Sequence, residues 1–117
     1  KRVDNENYGW LCDIGNFLCV DADIFESVKI ASKYVFHVHA KDFHYVKNSE
    51  RPEGYFPTSG GNWLCGTILG RGVVPLSKSI AYLKNNGYNG WFSLEFEGPE
   101  DCITAIKEGF DYLKNFN

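Results

Sequence analysis

The run Tyr34-Val35-Phe36-His37-Val38-His39-Ala40-Lys41-Asp42-Phe43 sets the reading of the whole chain. As an extended strand it sends Val35, His37, His39 and Lys41 to one face and Phe36, Val38 and Ala40 to the other, because successive side chains point to opposite sides. Two histidines and a lysine on one face do not suit a strand buried on both sides. They suit a strand of a parallel barrel whose apolar outer face meets helices and whose inner, C-terminal end meets ligand. The strand therefore marks the floor of a candidate site.

Upstream, Tyr8–Asp13 reads as a short buried strand, and Ile14-Gly15-Asn16 turns the chain so that Asp13 sits at the strand's C-terminal end. Between the two strands, Ile24, Val28, Ala31 and Val35 recur at helical spacing behind Asp21 and Asp23, either of which can cap a helix. A helix over Asp23–Lys33 is expected. Downstream, His44 to Gly72 keeps no period, because Pro52, Gly54, Pro57, Gly60, Gly61, Gly66, Gly70 and Gly72 break it. Tyr45, Tyr55, Phe56 and Trp63 favour a folded lid over a linker there. Leu76, Ile80 and Leu83 predict a helix over Pro75–Asn86, stopped by Asn86-Gly87. A third strand over Trp91–Phe96 puts Trp91, Ser93, Glu95 and, beyond its end, Glu97 on one face and Phe92, Leu94 and Phe96 on the other. A last helix over Pro99–Asn115 carries an apolar stripe of Ile103, Ile106, Phe110 and Leu113.

The order strand, helix, strand, lid, helix, strand, helix predicts an α/β fold of parallel strands joined by right-handed crossovers, with helices on one face. Three strands leave two open edges and an inner face carrying Leu11, Val35 and Trp91, so further strands are expected from elsewhere. At 117 residues and 44% hydrophobic, the chain has the length of one compact domain, and 1–117 is expected to be one unit, the C-terminal fragment of a larger domain. A whole eightfold barrel needs about 250 residues. There is no methionine, even at position 1, and a piece of a longer chain is expected. A net charge of −3 and a pI near 5.5 argue against nucleic acid as a partner. No apolar run approaches the roughly 20 residues of a membrane helix and no signal peptide opens the chain, so a cytoplasmic protein without membrane contact is expected. Cys12, Cys19, Cys65 and Cys102 lack metal-site spacing and read as reduced thiols.

Each predicted strand ends in a metal-competent side chain: Asp13, His39 and Glu95. Side chains at the carboxyl ends of parallel strands converge, so residues far apart in sequence can share one site. Mixed carboxylate and imidazole donors suit Mn²⁺, Mg²⁺, Co²⁺ or Zn²⁺ better than a thiolate-seeking metal. Each residue also has a plain structural reading: Asp13 as a turn residue, His39 as a satisfied core histidine, Glu95 as a rim carboxylate. Their coincidence at three equivalent strand ends favours the shared site. His37 lies deeper on the same face and reads as hydrogen-bonded inside the barrel or as a substrate contact. Lys41 reaches toward a substrate oxygen or into solvent, Asp42 orients Lys41 or caps the loop, and Asn16 donates to a substrate hydroxyl or closes the turn.

Asp13-Ile14-Gly15-Asn16, His37-Val38-His39-Ala40-Lys41-Asp42, Leu69-Gly70-Arg71-Gly72 and Gly87-Tyr88-Asn89-Gly90-Trp91-Phe92-Ser93-Leu94-Glu95 occur in an order that resembles the sugar phosphate isomerases/epimerases of the xylose-isomerase-like barrel superfamily. The resemblance covers nearly the whole chain. It implies strands six to eight of such a barrel, with the N-terminal majority missing. It also implies one divalent metal held by Glu, Asp, His and Glu from strands five to eight, the last three mapping onto Asp13, His39 and Glu95 and the first glutamate having no counterpart. In epimerases of this kind the two glutamates exchange a proton at the carbon beside the sugar carbonyl, which makes Glu95 the candidate catalytic residue. Asn16 stands where some ketose epimerases have a substrate-contacting histidine, so their sugar specificity does not transfer. A DNA-repair endonuclease of related fold has further His and Asp ligands that are not evident here.

The expected protein is thus a metal-dependent sugar (phosphate) isomerase or epimerase of carbohydrate metabolism, with Mn²⁺ first among its metals. It is present as the last three strand–helix units of a partial (β/α)₈ TIM barrel and inactive alone. Glu95 is its base, Asp13, His39 and Glu95 its metal ligands, and Asn16, Lys41 and His37 its substrate contacts. A non-catalytic half-barrel binding a small polyol or a partner chain is the alternative, and an inositol-ketone dehydratase-like lyase a further one. Self-association, or pairing with the missing N-terminal half, is expected to cover the open edges.

Overall fold

The structure, a computed structural model, describes residues 3, 5–47 and 50–116. In chain order the elements are β1 (Trp10–Asp13), a 3₁₀ segment (Gly15–Val20), α1 (Ile24–Ala31), a second 3₁₀ segment (Ser32–Tyr34), β2 (Val35–Ala40), β3 (Asp42–Val46), β4 (Phe56–Pro57), β5 (Trp63–Thr67), α2 (Leu76–Asn85), β6 (Phe92–Leu94) and α3 (Cys102–Lys114). One sheet has the order β1-β2-β6 and is parallel throughout, as the alternation of elements predicts. It matches part of a TIM barrel, the expected fold class.

The outer face of this sheet is the core. Cys12, Val38 and Ala40 are fully buried, in one cluster with Ile24, Val28 and Ala31 of α1 and Leu76, Ile80 and Leu83 of α2. Each large aliphatic side chain so buried contributes about 1.5–3 kcal/mol. Helix α1 starts where it does because the Asp23 carboxylate accepts from the Glu26 N–H at 2.9 Å. Of the two candidate caps, Asp21 has another task. At φ 53° it closes the first 3₁₀ segment and accepts from Tyr45 Oη at 2.7 Å, Asn62 Nδ2 at 2.9 Å and the Gly60 N–H at 2.8 Å, tying the lid to the turn after β1.

Two regions differ from the sequence reading. The aperiodic stretch is folded as a lid, but it contains a second sheet, β3-β5-β4, antiparallel with Asp42 opposite Thr67 and Val46 opposite Trp63. Its strands run only two to five residues between glycines and prolines, too short for alternation to register. Positions 48 and 49 of that stretch lie outside the described residues. In α3 the buried residues are Ala105 and Gly109, while Ile103, Ile106 and Phe110 of the expected stripe are exposed. The helix meets β6 through its small residues, since a Cβ on Gly109 would come 2.6 Å from Leu94 Cδ1. The larger stripe then faces outward beside the sheet's edge strand. Phe36, expected on the helix-covered face, is also exposed at the start of β2, its ring lying over Gly9.

Only Lys41 separates β2 from β3, and the next residue holds the turn into the lid. Asp42 is buried, and its Oδ1 accepts from the Phe43 and Val74 N–H groups at 2.9 and 3.0 Å while Oδ2 accepts from Gly70 and Gly72 at 3.0 and 2.9 Å. This is the loop-capping one of its two expected roles, and it explains Leu69-Gly70-Arg71-Gly72. Gly70 has φ 86°, and a Cβ on Gly72 would fall 2.2 Å from Asp42 Oδ1. All four cysteines are free. No helix among the described residues is long and apolar enough to cross a membrane.

Asp42→Asn turns one acceptor oxygen into an NH₂ facing two N–H donors. Each buried polar group left unsatisfied costs about 1–3 kcal/mol, so a loss of about 2–4 kcal/mol is expected as a lower urea midpoint at unchanged slope. An unshifted midpoint would show that the carboxylate is not what holds the loop.

Candidate metal centre

The ladder of the parallel sheet brings the site together. Asp13 pairs with His39 and His39 with Ser93, so the three strands end at one level. Two further backbone bonds extend the ladder past the strand ends, Ile14 N–H to His39 O at 3.1 Å and Glu95 N–H to Ala40 O at 2.9 Å. With period two, Asp13, His39 and Glu95 then share the inner face. One ligand atom from each lies within 4.8 Å of the other two, and His39 Nδ1 is 3.1 Å from Glu95 Oε2.

The turn after β1 orients Asp13. The Asn16 backbone N–H donates to Oδ1 at 3.1 Å and its side-chain Nδ2 to Oδ2 at 2.8 Å. Asn16 thus closes the turn and aims the carboxylate. His37, deeper on the face, has Nε2 2.7 Å from Ser93 Oγ, the hydrogen bond within the barrel of its two expected roles. Lys41 is only 4% exposed and no solvated loop lysine. Its Nζ stands 3.5 Å from Asp13 Oδ2, 3.1 Å from Glu95 Oε2 and 3.2 Å from Glu97 Oε2.

These contacts fix the electrostatics. Burial raises the Asp13 carboxyl above the ordinary range, against the Lys41 charge and the Asn16 N–H. Burial also pushes up on Glu95, but the hydrogen bond and charge of Lys41, with His39, outweigh it and hold Glu95 low. Behind the site, burial and then the Asp13 charge push the Cys12 thiol to about 11, so it is an inert core residue. The donor set suits a small divalent cation: two carboxylates and an imidazole fit a hard to borderline ion. The Lys41 ammonium is seated beside two of the three candidate donors and partly balances their charge. Asp13, His39 and Glu95 would hold the ion, one donor fewer than a four-coordinate shell.

The sequence profile of the xylose isomerase-like TIM barrel family matches residues 1–116. The chain belongs to that family. Two solved structures share its fold. A xylose isomerase domain protein from Planctomyces limnophilus is 21% identical with a TM-score of 0.74, the match covering 97% of this chain and 37% of that one. The IolI protein with a bound zinc atom is 24% identical with a TM-score of 0.65, the match covering 96% of this chain and 38% of that one. The chain thus spans less than two-fifths of the length of either solved chain. No curated protein matches it.

The residue the sequence reading left without a role is Glu97. Its signal was present, since Ser93, Glu95 and Glu97 alternate onto one face, but it falls beyond β6, where period alone does not show which way a side chain turns.

Burial opposes the Lys41 charge, yet the hydrogen bonds and charges of Glu95, Asp13 and Glu97 overcome it, and its pKa lies above the usual 10.5. Stability from this ammonium is therefore complete below pH 10.5 and lost as pH rises through the higher folded-state value. Lys41→Met is expected to lose about 2 kcal/mol at neutral pH, less than a wholly buried pair because Glu95 and Glu97 meet solvent. Thermal midpoints against pH should show a constant gap between wild type and variant up to about pH 10 that closes in stronger alkali. A gap that stays open would mean the lysine stabilises by packing rather than charge.

Proposed function

We propose that this segment carries the metal-binding and acid–base wall of a sugar or sugar phosphate isomerase or epimerase. The observation that carries the reading is the convergence of Asp13, His39 and Glu95 at the ends of three adjacent parallel strands in a xylose isomerase-like frame. The zinc bound in the IolI structure, which shares this fold, supports a divalent cation as the partner. The chemistry that such an ion supplies is Lewis-acid polarisation of the carbonyl and hydroxyl oxygens of a ketose.

The chain's own residues do the rest. Glu95, held low by Lys41, accepts the proton from the carbon beside the carbonyl. Delivering it to the neighbouring carbon isomerises the sugar, whereas epimerisation needs a second acid, on the opposite face, from outside 1–117. Asn16 keeps Asp13 in one orientation, and Ser93 keeps the His37 ring in place beneath His39. Lys41 offers an N–H to a substrate oxygen from within the carboxylate group. Loss of a hydroxyl beside the same carbon would make the enzyme a dehydratase, and product analysis separates the two.

The segment alone offers three donors and one acid–base carboxylate, so we infer little turnover from chain 1–117 by itself. The open side of its sheet, where Trp91 is 84% exposed, supports the second reading of a half-barrel that needs a partner.

In a complete barrel containing this segment, Glu95→Gln should reduce exchange of the substrate's carbon-bound hydrogen with solvent by about 10²–10⁴-fold, the range of a general base. The measurement is deuterium wash-in to a panel of ketoses and ketose phosphates with Mn²⁺. Undiminished exchange in the variant, or turnover by monomeric chain 1–117, would reject this assignment.

A further inference from the structure

The Lys41 ammonium and the candidate metal centre share two carboxylates. Nζ contacts Asp13 Oδ2 and Glu95 Oε2, oxygens of two of the three candidate ligands, and it also contacts Glu97 Oε2. A divalent ion held by those carboxylates would draw on their lone pairs and repel the ammonium. A buried charge stripped of its partners is strongly destabilising, so the ammonium must keep another anion within reach. Glu97 is that anion, its Oε2 3.2 Å from the ammonium and outside the candidate donor set.

The backbone that carries Glu97 is fixed independently of Lys41. A Cβ on Gly66 would fall 2.3 Å from the Glu97 carbonyl oxygen, so β5 seats directly against residue 97. One residue along, Thr67 Oγ1 donates to Glu100 Oε1 at 2.6 Å and pins the same turn. The lid sheet therefore sets where the Glu97 carboxylate starts from. Its side chain is 57% exposed and has room to follow the ammonium.

We propose that Glu97 is a positioning residue for the metal centre: it retains the Lys41 ammonium when a divalent cation occupies Asp13, His39 and Glu95, and so sets how tightly that cluster takes the cation. The proposal rests on the metal-centre reading above. Without Glu97 the ammonium returns to Asp13 and Glu95 and competes with the ion for them. The lid contributes to metal affinity in this way without supplying a ligand.

The test is Mn²⁺ titration by calorimetry of a complete barrel containing this segment, in wild type, Glu97→Gln, Lys41→Met and the double variant, with His39→Ala as the baseline for adventitious binding. Glu97→Gln should weaken binding about 3–10-fold, in the range of coupling for a partly exposed charged pair. Lys41→Met should tighten it, and in that background Glu97→Gln should change it by less than about twofold. Equal effects in both backgrounds overturn the proposal and leave the metal centre standing. Binding by no variant above the baseline overturns the metal centre and the proposal with it. Should Lys41→Met fail to fold, Glu97→Asp decides, because it keeps the charge but is one methylene short of Lys41: affinity like Glu97→Gln supports the contact, and affinity like wild type overturns it.

Discussion

The parallel pairing of β2 with a strand on each side is the constraint from which the site follows. Parallel strands bond in an even, slanted ladder, so past the shift between Trp10 and Leu11 one register runs to the C-terminal ends of the strands. Once Asp13 is opposite His39 and His39 opposite Ser93, the inner-face side chains of three strands must end at a common height. The donor cluster is a by-product of that register, and a slip of one residue in either pair would turn its donors to the opposite face. The outer face holds the register, because the same slip would expose Cys12, Val38 and Ala40, which α1 and α2 now cover.

This explains which parts were legible in the sequence. Strand β2 announces itself because its outer side is apolar and its inner side carries imidazoles, and α1 and α2 because Ile24/Val28/Ala31 and Leu76/Ile80/Leu83 keep helical spacing into a closed core. The candidate donors were legible for the same reason, as each stands at the end of a patterned strand. The lid sheet was not, because a strand such as Phe56–Pro57 is defined by its partner Trp63-Leu64 and carries no period of its own. The buried side of α3 was hidden by the opposite fault. Ile103, Ile106 and Phe110 made the stronger stripe, while the residues that touch β6 are Ala105 and Gly109, which hydropathy barely registers.

Two neighbouring residues join the sheets by opposite means. Lys41 extends the inner face of β2 and gathers carboxylates from β1 and from beyond β6, a charge satisfied by charges. Asp42 faces the other way and is satisfied by backbone N–H groups from its own turn and from residues 70–74. Both are buried, which polar groups tolerate only when partnered. Their placement in sequence is therefore dictated by the bend: the chain leaves the barrel between an ammonium that belongs to the site and a carboxylate that belongs to the loop.

The open edges of the sheet and the candidate donor cluster adjoin at β1. Beside β1, Trp10, Leu11 and Tyr34 are exposed; beside β6, so are Trp91, Ile106 and Phe110. In a closed barrel every strand has two neighbours and no edge remains. A strand laid along the free edge of β1 would cover Leu11 on the inner face and, by the same parallel register, would bring its own C-terminal side chain level with Asp13. On the proposed metal-centre reading, covering the apolar edge and adding a donor beside Asp13 would thus be one structural event.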